Sequence, residues 1–236
     1  MKRIVTLMAA LSLAAAATTA FAGSAVISGT KHNLSTGSTA SYKAGAGGTG
    51  QICVFCHTPH NAAQNIPLWN RQATASTAAG TFQLYSSVTM KNSKHKTGFT
   101  SESISLFCMS CHDGSALGGT AMIKNAPADG TTDMAAGVPG GGPGIAGGRD
   151  ANLGTDLKND HPVNFRVLVS DPGIGTVTGN TMKTGSVTNS FPLFASNGND
   201  KYLECGSCHS VHNDTNSPFL RTTNSGSKLC LGCHVK

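Results

Sequence analysis

Read for the spacing of apolar and polar positions, the 236-residue chain is quiet. Few windows show the 3.6-residue period of an amphipathic helix or the alternation of a half-buried strand. The one long apolar run extends from Ile4 to Ala17. It follows the basic start Met1-Lys2-Arg3 and leads into Ala20-Phe21-Ala22, a small-x-small exit. That order predicts a signal peptide over residues 1–22, removed before Gly23. The run is short and Ala-rich for a bilayer crossing. No cysteine beside the exit offers a lipid attachment point, and no later stretch is long and apolar enough to span. The mature chain is therefore expected to be exported, with no membrane span.

Beyond the leader, the pattern predicts short helices, one or two small strands and mostly loop. Aromatic residues make up 6% of the chain, and glycine alone accounts for 29 residues. A polypeptide so poor in core material struggles to offset the entropy of ordering itself. The segment 126–149 is the extreme case, with Val138-Pro139-Gly140-Gly141-Gly142-Pro143-Gly144 at its centre. It reads as a flexible connector or a surface loop.

The cysteines identify what fills the core. All eight fall into four C-x-x-C-H units: Cys53/Cys56/His57, Cys108/Cys111/His112, Cys205/Cys208/His209 and Cys230/Cys233/His234. This is the mark of c-type haem attachment. Two thiols one turn apart can each form a thioether with one porphyrin, and the next residue then offers its imidazole to the iron. Paired C-x-x-C units also build zinc sites, and a secreted chain can carry disulfides. Neither explains a histidine after every second cysteine. Four covalent haem c groups are therefore expected. Each has several hundred Å² of largely apolar surface, worth roughly 10 kcal/mol at ~25 cal/mol/Å² as an upper value. The predicted fold is a multihaem c-type cytochrome with a haem-filled core, mostly coil, with short α-helices at the attachment motifs and little β. Without haem the chain is expected to be largely unfolded.

An internal repeat divides the chain. Cys53-x-x-Cys56-His57-x-x-His60-Asn61 matches Cys205-x-x-Cys208-His209-x-x-His212-Asn213. Pro67-Leu68-Trp69-Asn70-Arg71 follows the first copy and Pro218-Phe219-Leu220-Arg221 the second. Each half has an upstream histidine, His32 or His161, and closes on a plain C-x-x-C-H. The expected organisation is a first dihaem module over 23–125 and a second over 150–236, joined by 126–149.

There are nine histidines. His57, His112, His209 and His234 are the proximal ligands, which leaves His32, His60, His95, His161 and His212 for four distal positions. Repeat symmetry favours His60 and His212, and placement upstream of the modules favours His32 and His161. His95, between Lys94 and Lys96, reads as an exposed loop residue. His60 is too close to His57 in the chain to reach the far face of the same iron, so it is assigned to a neighbouring haem. Full bis-histidine ligation leaves no open position, which makes the chemistry outer-sphere electron transfer at low potential rather than catalysis. Met90, Met109, Met122, Met134 and Met182 are read as packing or loop residues.

Charge adds little. Loss of Lys2 and Arg3 takes the formal net from +6 to +4. Haem propionates, about eight if all are ionised, bring the holoprotein near neutral or below. The basic balance is thus no argument for a nucleic-acid partner, and Lys91, Lys94 and Lys96 read as a solvated loop.

The ordered set Lys31-His32-Asn33-Leu34-Ser35, Cys53-Val54-Phe55-Cys56-His57-Thr58-Pro59-His60-Asn61, Pro67-Leu68-Trp69-Asn70, Cys108-Met109-Ser110-Cys111-His112-Asp113-Gly114, Asp160-His161-Pro162-Val163 and Cys205-Gly206-Ser207-Cys208-His209-Ser210-Val211-His212 resembles the paired C-x-x-C-H cytochromes of metal-reducing bacteria. The resemblance implies a homopolymer of subunits stacked head to tail, with one haem taking an axial histidine from the next subunit. His32 and His234, near the two ends, are placed to meet across such a boundary. It also implies cell-surface or extracellular localisation, periplasmic and outer-membrane cytochromes as donors, and extracellular acceptors such as metal oxides. A soluble periplasmic electron shuttle is the alternative. A multihaem reductase with one open haem is the third reading.

Overall fold

The computed structural model describes residues 27–63, 68–72, 81–88, 90, 98–185, 188–196 and 198–236. The expected signal peptide, the lysines 91, 94 and 96, and His95 lie outside them. Among the described residues no helix is long and apolar enough to cross a membrane.

Helical structure gathers at the motifs. A 3-10 turn covers Cys53–Phe55, α1 covers Ser105–His112, α2 covers Cys205–Cys208 and α3 covers Lys228–Leu231. The motif itself sets the local shape. His57 N donates to Cys53 O at 2.7 Å, His209 N to Cys205 O at 3.1 Å and His234 N to Cys230 O at 2.9 Å. This one-turn closure brings each histidine back over its first cysteine.

The structure has more strand than expected. Three small sheets are present among the described residues. Strand β1 (Gln83–Leu84) runs parallel to β2 (Asp156–Leu157). Strands β3 (Phe165–Arg166), β8 (Asn199–Leu203) and β7 (Phe194–Ser196) form an antiparallel set, as do β4 (Thr176–Thr178), β5 (Thr181–Lys183) and β6 (Phe191–Pro192). The sequence signal was in the turns. Gly179-Asn180 joins β4 to β5, with Gly179 at φ +55°, and Gly198, just before β8, is at φ +71°. Two-residue turns of this chemistry match the twist of antiparallel strands.

The polypeptide also supplies three apolar clusters of its own. Phe165, Met182, Phe191 and Leu203 pack with Cys233. Leu34, Phe55, Leu117 and Ile145 form a second cluster, and Phe82, Leu84, Phe99, Met109 and Leu157 a third. Met109 and Met182 are thus core residues. The third cluster and the β1–β2 pair join the two halves, so the boundary near residue 150 is crossed by packing as well as by chain.

Segment 126–149 is anchored against the first half. Tyr42 Oη donates to Pro139 O and accepts from Ala146 N, both at 3.0 Å. Thr49 Oγ1 donates to Asp129 Oδ1 at 2.7 Å. A Cβ added at Gly118 would overlap Thr132 O, and one at Gly144 would overlap Gly114 O. Glycine here permits close backbone approach.

Candidate functional site

The two C-x-x-C-H-x-x-H-N copies share a backbone scaffold. Thr58 N donates to Leu68 O at 2.9 Å, and Ser210 N donates to Phe219 O at 2.7 Å. Asn70 N donates to Cys56 O at 2.8 Å, and Arg221 N donates to Cys208 O at 2.9 Å. Leu68 and Phe219 both sit in the left-handed region, at φ +60° and +59°. Asn70 Nδ2 donates to Val54 O at 2.7 Å, and Arg221 Nε donates to Gly206 O at 2.8 Å. The counterpart of Arg221 is therefore Asn70. Arg71, which the Pro-apolar-Arg reading aligned with Arg221, points elsewhere.

The histidines form pairs. His32 and His112 have ring centroids 6.2 Å apart, His57 and His212 6.2 Å, and His161 and His234 6.3 Å. Two imidazoles that share one metal, each bonded at about 2 Å, hold their centroids roughly 6 Å apart. Each pair joins one C-x-x-C-H histidine to one spare histidine. Several rings are also oriented from behind. Nδ1 faces Val211 O in His32 (3.4 Å), Ala151 O in His112 (2.7 Å), Pro162 O in His161 (2.9 Å) and Pro218 O in His209 (3.1 Å). A backbone carbonyl behind Nδ1 fixes the tautomer that leaves Nε2 free to bind a metal. Burial holds the His32, His112, His212 and His234 imidazoles below their usual pKa, in the neutral form that ligates.

Two placements differ from expectation. His212 meets His57, but His209, which interacts with His112, has no ring at the metal-bridging distance among the described residues, and His60 lies at the surface. His212 thus stands beside the other copy's proximal histidine, and no ring pair of His60 is found among the described residues. His32 and His234, expected to meet across a subunit boundary, each pair inside the chain.

No disulfide joins any of the eight cysteines. Burial pushes Cys56 up to about 12, Cys233 to about 12 and Cys208 to about 11. Cys108, hydrogen-bonded to Cys205 and buried, is also pushed well up. Cys205, which accepts that hydrogen bond from Cys108, is lowered instead. Among the described residues no three of His, Cys, Asp or Glu converge as a metal cage. Thiols one turn apart beside an imidazole, with a second imidazole at the metal-bridging distance, fit c-type haem. When bound, haem supplies a one-electron iron centre.

Four residues beside these motifs carry signals that sequence reasoning missed. Phe219 stacks on His32 at 4.2 Å, and Trp69 meets His57 edge-on at 5.7 Å. Arg71 is 2% exposed and reaches Ser110 Oγ (3.1 Å), Ser110 O (2.6 Å), Ala116 O (2.6 Å) and Leu117 O (2.7 Å), close enough to Cys56 and Cys111 to act on both. Glu204 is fully buried before Cys205, and its Oε1 has no hydrogen-bond partner.

Residues 198–236 match the doubled CXXCH motif family. That motif indicates a multihaem c-type cytochrome, a protein that binds haem c covalently and transfers electrons. A search of curated proteins returns no match.

Proposed function

We propose that the chain binds four c-type haems and serves as the polymerising subunit of an extracellular electron conduit rather than as an enzyme. The observation that carries the reading is the set of three histidine pairs, each at the separation of two imidazoles sharing one metal. The proposed axial pairs are His57 with His212, His112 with His32, and His234 with His161. Iron held from both sides by imidazole exchanges electrons without binding substrate.

The fourth centre, at His209, lacks a distal histidine within the described chain. His60 is exposed and occupies the matching repeat position. A second copy that donates its His60 completes the set. Such a contact joins unlike surfaces, and contacts of that kind that do not close into a ring propagate as a filament. Export, filament growth and delivery of electrons to external acceptors such as metal oxides follow from this reading.

The lack of a distal histidine for His209 among the described residues also supports a second reading, a reductase with one haem that binds substrate. Carbon monoxide titration separates them. The reduced holoprotein is tested as isolated from the extracellular fraction and again after dispersal to single subunits, with electron microscopy of both. A conduit shows filaments that bind no carbon monoxide, and dispersed subunits that bind one per four haems. Binding by the assembled form supports the reductase. Single subunits with four low-spin haems and no assembly support a soluble shuttle.

A further inference from the structure

The junction between the Cys108 and Cys205 motifs holds an ionisable group that the proposed axial set does not use. Glu204 is shielded from solvent by the polypeptide itself. Its Oε2 accepts from Ser105 Oγ at the start of α1. The same Ser105 Oγ accepts from Cys205 N at 3.0 Å, and Glu204 N donates to Ser207 Oγ at 3.1 Å in α2. One hydroxyl thus ties the carboxyl to both motifs, where the Cys108 and Cys205 sulfurs are in hydrogen-bond contact. The groups facing it are Ser105 and Cys108 from α1, Ser196 from β7, and Cys205 and Ser207 from α2. The nearby Glu102 carboxylate is turned away, to Gly198 N at 3.0 Å. No cationic side chain among the described residues offsets Glu204. Its Oε1 has no close hydrogen-bond partner, and the bonds the carboxyl does receive come from uncharged groups of Ser105 and Ser196.

We propose that Glu204 takes up a proton when the haems attached at Cys108 and Cys205 are reduced. The inference rests on the multihaem reading above. A buried carboxylate without a counter-ion is costly, and the cost is removed by protonation. Burial raises its pKa, and the hydrogen bonds from Ser105 and Ser196 offset only part of that rise. The balance is one electron from an external one-electron donor, which converts Fe(III) to Fe(II), and one proton from solvent, which converts the carboxylate to the acid. The junction's charge is then unchanged. Because binding free energies are reciprocal, the proton must in turn favour the electron. Glu204 is in this sense a positioning residue for charge and does not contact substrate.

The test is an electrode titration of the haem-loaded protein from pH 5 to 9, in wild type and Glu204→Gln, after mass spectrometry has counted the attached haems. In the wild type, one haem potential at the junction falls with pH by up to about 59 mV per unit, the one-electron equivalent of tenfold. In Glu204→Gln that dependence flattens, and the potentials of the haems at Cys53 and Cys230 hold. Independently of any variant, redox-difference infrared spectra of the wild type gain a deuterium-sensitive carboxylic C=O band on reduction. An unchanged slope in the variant, or no such band, overturns the proposal and leaves the multihaem reading intact. A haem count that omits Cys205 overturns both.

Discussion

The two copies of C-x-x-C-H-x-x-H-N have one backbone and two environments. Both close the same turn, return through the same bridge and place an apolar residue at φ near +60°. Yet His57 has His212 at the metal-bridging distance, whereas His209, which interacts with His112, has no ring at that distance among the described residues. Ile52 precedes the first copy and a buried Glu204 precedes the second. Asn70 supports the first copy and Arg221 the second. The motif determines where the thiols and the proximal imidazole stand. Its surroundings determine what lies on the other face of the iron and what charge sits beside it.

The largest expected effect follows from the histidine asymmetry. His212→Ala opens the iron at His57 inside one chain, so dispersed subunits bind a second equivalent of carbon monoxide. His60→Ala leaves dispersed subunits spectrally unchanged and stops assembly. Equal effects of the two variants on dispersed subunits would show that the copies are equivalent after all.

The supporting residues come next. Replacement of Arg71 by Met leaves the carbonyls of Ser110, Ala116 and Leu117 without donors, at a cost of about 3–5 kcal/mol. Arg221→Met loses one main-chain contact at a half-buried position and costs about 1–2 kcal/mol. Denaturant unfolding of the two variants reads the difference directly.

A third asymmetry is pH-dependent. Burial raises the folded pKa of Glu204 above its unfolded value. Its contribution to stability is therefore fully present below the unfolded pKa, and is lost as pH rises through the raised folded one. Glu204→Gln should accordingly stabilise the protein by roughly 1–3 kcal/mol at neutral pH, with the gain vanishing near pH 4. Unfolding at the two pH values checks the sign. Ile52→Gln, at the matching position of the first copy, should show no such pH dependence.

These contrasts also mark what could be read from the sequence. The thiols, the proximal histidines and the repeat were legible because covalent attachment dictates their local spacing. The histidine pairing was not, because it depends on which loops meet: His212 reaches His57 only through the tertiary contact of the two halves. The strands were legible only in their turns, since Thr-Val-Thr and Thr-Met-Lys are too short for a periodic signal. Segment 126–149 looked open because glycine is equally common in flexible links and at close backbone contacts; only the Tyr42 and Thr49 anchors tell the two apart. Glu204 was silent because a single acid before a cysteine looks like an ordinary surface charge.

The smallest effect isolates the shared backbone itself. Leu68 adopts φ +60° while 45% exposed, so its side chain recovers little of the cost of the left-handed conformation. That cost is roughly 1–2 kcal/mol for an L-residue, and glycine avoids it at the expense of greater freedom when unfolded. Leu68→Gly should therefore stabilise the protein slightly, by about 0.5–1 kcal/mol, whereas Leu68→Ala should not. Phe219 has the same strain at φ +59° but is 7% exposed and stacked on His32, so glycine there gives no gain. A denaturant midpoint for Leu68→Gly at or below wild type would mean that the exposed leucine does more than fill a turn, and that the first copy relies on that position as the second relies on Phe219.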